Sequence, residues 1–313
     1  MKKQIKGALP CFLAALIWGM SFVVQSTGME DVGGFTFTGL RMVFAVMVLL
    51  PASILTERFS KKPKGTPEEQ AKTRKMLWKS GTLCGLCIFA GINLQQFAFG
   101  YTGAGKVGFL TALYMIEVAI LGTVFLRQKI SLAVWLSVVM AMGGIFLLCM
   151  KPGTSFTIGR GETLSIACSI FFAVQILISD KYAPHVNVIS LSCIQFALSG
   201  ILSLICMAIF EEPTLAGIRA ALPELLYAGV LSSAGAFTLQ LIGQRNTEPV
   251  LASMLLCLES VFATLFGWLL LHQSLSLREL SGCAIMFIAI FLTLVPRDFW
   301  QRMLHRSVDT SES

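Results

Sequence analysis

Ten separate stretches of about 20 mostly apolar residues dominate this chain, at 7–27, 35–56, 78–99, 103–126, 131–149, 162–182, 188–210, 221–243, 249–271 and 276–296. A run of that length is what an α-helix needs to cross the hydrocarbon core of a bilayer. Inside lipid every backbone N–H and C=O must be satisfied within the spanning segment, so such runs predict helices. Charged residues make up 13% of the 313 positions and apolar residues 55%. A soluble domain carries about 25% charged residues, so this chain has too little polar surface to wet a globule. The expected fold class is all-α integral membrane with ten transmembrane helices. The first run resembles a signal peptide in length. However, no clean small-residue cleavage site precedes Glu30 and nine more runs follow, so it reads as a mature helix.

Nearly all connections are short. The exception is 57–77, "ERFSKKPKGTPEEQAKTRKML", which is polar, rich in Pro and Lys, and reads as a solvated cytoplasmic loop. With the N-terminus in the cytoplasm, 18 of the 24 lysines and arginines fall on the inner side and 5 on the outer side, with Arg41 inside the second span. Positive charge concentrates in cytoplasmic loops, so both termini are expected there, in the cell membrane. An odd number of spans would spoil the bias.

The net charge of +7 does not point to nucleic acid, because the basic residues sit in short loops and at the chain ends. Nine cysteines are scattered through apolar runs. Cys84 and Cys87 form a CxxC without a second pair or clustered histidines, which reads as packed thiols rather than a metal site. The three histidines, His185, His272 and His305, fall near expected helix ends, and no H-E-x-x-H occurs. No metal and no cofactor is expected. The segment "GYTGAGKVGFL" (100–110) imitates both a phosphate loop and a dinucleotide fingerprint. Valine at 107 stands where the phosphate loop needs Ser or Thr, and an apolar helix rather than a strand precedes it. The glycines instead allow a tight turn, and Ala104, Gly108 and Ala112 form a small-residue stripe for close helix packing.

The two halves of the chain overlay without gaps. An offset of 154 puts "WGMSF" (18–22) on "FAVQI" (172–176) and Arg41 on Gln195. An offset of 145 puts 94–131 on 239–276, where Leu94, Gln95, Thr102, Leu113, Leu126, Gln128 and Ser131 meet identical residues. Each half holds five spans. Five is odd, so the second half must enter the membrane inverted, in units 1–151 and 157–313. Inverted repeats mark transporters that expose one midplane site to either side by rocking.

Several segments carry a resemblance: "LIWGMSF" (16–22), "FTFTGLRMVFA" (35–45), "AGKVGFLTALY" (104–114) with "FLRQKIS" (125–131), and above all "LCLESVFATLFGWLLLHQSLS" (256–276). With these the chain resembles the EamA-like proteins of the drug/metabolite transporter superfamily over roughly 7 to 296. Ser260 departs from the proline usual there, and Glu117 from an apolar residue. The resemblance implies a secondary transporter exporting amino acids or other small metabolites. It also implies spans 1, 3, 4, 6, 8 and 9 around the cavity and spans 5 and 10 behind. Uptake or exchange of a sugar-type or nucleotide-linked solute is the alternative within transport. A lipid-acting membrane enzyme is the alternative outside it, and no nucleophile with a nearby base supports that reading.

Three ionisable residues lie within spans: Arg41, Glu117 and Glu259. Each costs about 2.5–3.5 kcal/mol at a helix centre, so each must face protein or water. At 1.5 Å per residue, Glu117 and Glu259 lie roughly 14 and 16 Å from the inner ends of their spans. They share a depth and are expected to line one cavity, where repulsion between carboxylates would favour holding a proton. Helical stepping puts the small-residue stripe opposite Glu117, with Tyr114 about 60° from it. Arg41 reads as snorkelling outward or pairing with Glu30 or Asp31. The amides Asn93, Gln95, Gln175 and Gln240 are further cavity candidates, with Trp18, Tyr114 and Trp268 as stacking surfaces. Expected partners are the bilayer, a small-molecule substrate, protons as a coupling ion, and a second copy in a homodimer.

Overall fold

The computed structural model describes residues 2–28, 32–59, 66–125, 127–128, 130–150, 153, 158–271 and 276–294. The chain is all helical among these residues. The first repeat comprises α1 (Lys2–Gly28), α2 (Gly34–Arg58), α3 (Pro67–Phe99), α4 (Ala104–Thr111), α5 (Tyr114–Phe125) and α6 (Leu132–Cys149). The second comprises α7 (Arg160–Tyr182), α8 (Val188–Phe210), the short helices α9 (Leu215–Ala220) and α10 (Leu222–Leu226), a π-helical stretch Tyr227–Ala236, α11 (Phe237–Gln244), α12 (Pro249–Leu256), α13 (Glu259–Leu271) and α14 (Leu277–Leu294).

Among the described residues, eight segments are long and apolar enough to cross a membrane, against the ten expected. The first and tenth expected spans fall on α1, whose apolar stretch Lys6–Ser21 is shorter, and on α14. Met1 and Ser313 lie outside the described residues, so the expected placement of the two termini does too.

Two spans are broken in the middle, at matching places. α4 ends at Thr111 and α5 starts at Tyr114; α12 ends at Leu256 and α13 starts at Glu259, each 145 residues later. The backbone bonds at the breaks match one for one. Leu113 N donates to Leu110 O and Met115 N to Ala112 O; Leu258 N donates to Leu255 O and Ser260 N to Cys257 O. These are tight i to i−3 bonds, which shorten the turn without proline. Ser260 in place of proline therefore does not leave this helix straight.

The repeats are intertwined. α1 packs on α11, α12 and α13 of the second repeat, while its counterpart α7 packs on α3, α4 and α5 of the first. α2 and α8 pack together, as do α6 and α14. At the last contact Gly144 and Gly282 approach so closely that a Cβ on Gly282 would meet Gly144 O at 2.7 Å. That backbone-to-backbone contact holds α6 and α14 together away from the centre of the bundle.

Candidate substrate site

Sixteen side chains line a cavity of about 60 Å³ at the centre of the bundle. Twelve of the sixteen form six pairs related by the repeat. Trp18 of α1 matches Phe172 of α7, and Ser21 matches Gln175. Ile92 and Gln95 of α3 match Phe237 and Gln240 of α11. Thr111 and Tyr114, on either side of one break, match Leu256 and Glu259 at the other. The lining comes from the expected spans 1, 3, 4, 6, 8 and 9, joined by Arg41 of the second.

The helical pattern explains the lining. Trp18, Ser21 and Gln25 follow i, i+3, i+7 spacing and share one face of α1. Gln25 Nε2 donates to Ser21 Oγ at 3.1 Å; in α7 the polarity of the sequence is reversed, and Gln175 Nε2 donates to Ser179 Oγ at 3.1 Å. Gln240 Nε2 donates to Gln175 Oε1 at 3.1 Å, and Gln95 Nε2 to Thr111 Oγ1 at 3.3 Å. Trp18 packs edge-on against Phe237 with ring centroids 4.7 Å apart, and its Nε1 donates to the carbonyl of Ser232. That carbonyl lies in the π-helical stretch, where the regular i to i−4 ladder is interrupted.

The pairing fails around Arg41. Gln25, Arg41 and Ser232 line the cavity, but their counterparts Ser179, Gln195 and Cys87 do not. Arg41 is 2% exposed. Its Nε donates to Ser233 Oγ at 3.1 Å, NH1 to Gln25 Oε1 at 2.9 Å and NH2 to Ser232 Oγ at 3.3 Å. Arg41 therefore does not snorkel outward as expected; it sits seven residues inside α2, roughly 10 Å from its start. Glu30 and Asp31, its expected partners, lie outside the described residues. All of Arg41's described partners are neutral, so its charge is held in place but not neutralised by them. Glu259 is 8% exposed and accepts no hydrogen bond among the described residues. The single ion pair among the described residues is Lys106–Glu162, at the end of the bundle where α4 and α7 begin. One cavity therefore holds a guanidinium and a carboxyl group that are not bonded to each other.

Of the eight expected site residues, Trp18, Gln95, Tyr114, Gln175, Gln240 and Glu259 line this cavity, and Asn93 and Glu117 do not. Asn93 donates to Phe89 O at 2.8 Å and to Ser203 Oγ at 3.0 Å, within the contact between α3 and α8. Glu117 Oε1 accepts from Ser169 Oγ of α7 at 2.8 Å. Tyr114 and Glu117 both follow the break within α5, about 60° apart, and Glu117 faces α7 while Tyr114 faces the cavity. Across the repeat Glu259 matches Tyr114, not Glu117. Trp268 is 51% exposed and also lies away from the cavity. Sequence reading missed Arg41, Gln25, Ser21, Ser232 and Thr111 as lining. Arg41 carried a signal, a full charge in a span, but the hydroxyls did not, because Ser and Thr are ordinary in such helices.

Two inverted helical repeats that close around a polar cavity, with paired helix breaks beside it, make this a membrane transporter. The model described as the EamA-like transporter family matches residues 5–150 and again 159–295, and the chain belongs to that family. The transporter YoaV of Bacillus subtilis (strain 168), itself uncharacterized, is 22% identical over 92% of this chain and 97% of its own length. An uncharacterized transporter of Archaeoglobus fulgidus is 26% identical over 93% of this chain and 86% of its own. A WAT1-related chloroplastic protein of Arabidopsis thaliana, At3g02690, is 22% identical over 89% of this chain and 67% of its own. One solved crystal structure superposes with a TM-score of 0.75 at 17% identity, covering 92% of this chain and 96% of the other.

Proposed function

We propose that this protein is a secondary transporter of small zwitterionic metabolites, with amino acids as the leading class, exported by alternating access. One observation carries this reading: Arg41 and Glu259 are buried in the same cavity without pairing to each other. An α-amino acid supplies the missing partner for each, its carboxylate for Arg41 and its ammonium for Glu259. A guanidinium favours a carboxylate because it can donate two parallel hydrogen bonds. Trp18, Phe172 and Phe237 offer an apolar and aromatic wall for the side chain. One cationic group is poorly matched to the several charges of a nucleotide-linked solute, which disfavours that alternative.

In this reading the two repeats, 1–151 and 157–313, rock about the cavity. The protein resides in the cell membrane, and both termini face the cytoplasm, as the lysine and arginine distribution supports. Glu259 is the group that would carry a proton if transport is coupled to a proton gradient. The test is counterflow in liposomes holding the purified protein, loaded with one unlabelled amino acid at a time. Accumulation of labelled amino acid that is lost when the load is the carboxyl-amidated form, which lacks the carboxylate for Arg41, is the expected result. Exchange of sugars or nucleotides without any amino-acid counterflow would overturn the reading.

A further inference from the structure

The two ends of the cavity are closed by the same pair of residues, taken once from each repeat. Where α4 and α7 begin, Gly161 packs on Thr102, so closely that a Cβ on Gly161 would lie 2.8 Å from Thr102 Cγ2. Near the start of α1, just before α12, Gly7 packs on Thr247 in the same manner. Gly7 and Gly161 differ by 154, and Thr102 and Thr247 by 145, which are the two offsets of the repeat. Each contact joins one repeat to the other. Both must part in turn if a site between the repeats is to face one side and then the other.

The two closures are unequal. Beside Gly161, Glu162 Oε1 accepts from Lys106 Nζ at 3.1 Å and from Thr102 Oγ1 at 3.0 Å, while Glu162 Oε2 accepts from Gly159 N at 3.1 Å. At the opposite end the positions equivalent to Glu162 and Lys106 hold Ala8 and Leu251. There the Thr247 hydroxyl, counterpart of the bonded Thr102, is buried and makes no hydrogen bond among the described residues. A buried hydroxyl without a partner raises the free energy of the closed state, and water relieves it when that end opens. At the α4–α7 end, opening must break a charge-assisted network.

We infer that this asymmetry is a one-sided latch. The substrate-free transporter opens at the Gly7–Thr247 end in preference to the Gly161–Thr102 end, and Lys106 and Glu162 are the positioning residues that set the bias. The inference rests on the transport reading. With the orientation given by the loop charges, the loose end faces the cytoplasm, the side from which an exporter collects substrate.

Two native thiols report on the two ends in the full-length protein. Cys11 packs against Gly243 beside Gly7. Cys168 lies about two turns beyond Gly161 along α7, with its Sγ 3.4 Å from Thr111 Oγ1. Both are fully buried in the closed state. Purified protein in detergent is treated with a charged, water-soluble maleimide, and modified residues are located by peptide mass spectrometry. Wild type is expected to label at Cys11 and to stay protected at Cys168. Lys106→Met and Glu162→Gln should each raise labelling of Cys168 by about fivefold. The reversed pair K106E/E162K should restore protection, and Thr247→Val should slow labelling at Cys11. A thermal melt of each variant separates local opening from unfolding. Folded single variants that leave Cys168 protected, or wild type labelling at Cys168 ahead of Cys11, would overturn the latch. No substrate enters this assay. Failure of the transport reading therefore shows as missing counterflow with the labelling pattern intact.

Discussion

Cys257 Sγ lies 3.9 Å from the carbonyl oxygen of Ala112, the residue that occupies its own position in the other repeat. A residue that touches its counterpart must sit beside the axis relating the two repeats. Each of these two caps a half-helix at a break, so both breaks meet at the pseudo-symmetry axis. Tyr114 and Glu259 follow two residues later and enter the cavity from either side of that axis.

The axis contact is fully buried, with no surface exposed at either residue. Added bulk has nowhere to go. Ala112→Val and Cys257→Leu should each destabilise the protein by about 1–3 kcal/mol. Thermal unfolding in detergent reads this directly, and a melting temperature equal to wild type for both would show that the breaks do not pack as described.

Arg41 is held by Gln25, Ser232 and Ser233, which fix the plane of its guanidinium. Lysine keeps the charge but loses the fork. Arg41→Lys should therefore weaken amino-acid binding by about tenfold, near 1.4 kcal/mol, and Arg41→Gln by more. Equilibrium binding to detergent-purified protein measures it. An Arg41→Lys variant that binds as tightly as wild type would exclude a bidentate contact.

Glu259 lines the cavity, whereas Glu117 bonds to Ser169 outside it. Glu259→Gln should abolish proton-dependent counterflow, whereas Glu117→Gln, which can still accept from Ser169, should transport within about twofold of wild type. Rates measured across pH at matched expression decide this. Loss of transport in the Glu117 variant alone would reverse the assignment.

Glu211, at the end of α8, caps α2 from outside. Its carboxylate accepts from Phe35 N at 2.9 Å, Thr36 N at 2.8 Å and Thr36 Oγ1 at 2.7 Å. These are free donors of the first turn, and the negative charge faces the positive end of the helix dipole. Glu211→Ala should cost about 1–2 kcal/mol of stability without changing substrate affinity. A thermal melt beside a binding isotherm separates the two effects.

Much of the fold could be read from residue order. Apolar run length placed the helices, the loop charges predicted an orientation, and offsets of 145 and 154 revealed the repeat. Gln95 and Gln240 were recognised as partners and both line the cavity. Glu117 shows where such reading stops. Its place in the span followed from counting residues, but whether it faced the cavity or Ser169 of α7 depended on how α5 packs against α7. Arg41 shows the complementary failure. A charge near a span end reads as snorkelling, and only neighbours from α1 and the π-helical stretch turn it inward.

What the sequence by itself determined was a lipid-embedded, twice-repeated helical chain, because burial in a bilayer constrains length, polarity and periodicity residue by residue. Which of its polar groups face one another was decided by tertiary structure. Hydrogen bonds and close backbone contacts form between residues as much as 214 positions apart, as between Trp18 and Ser232, and local pattern carries no record of them.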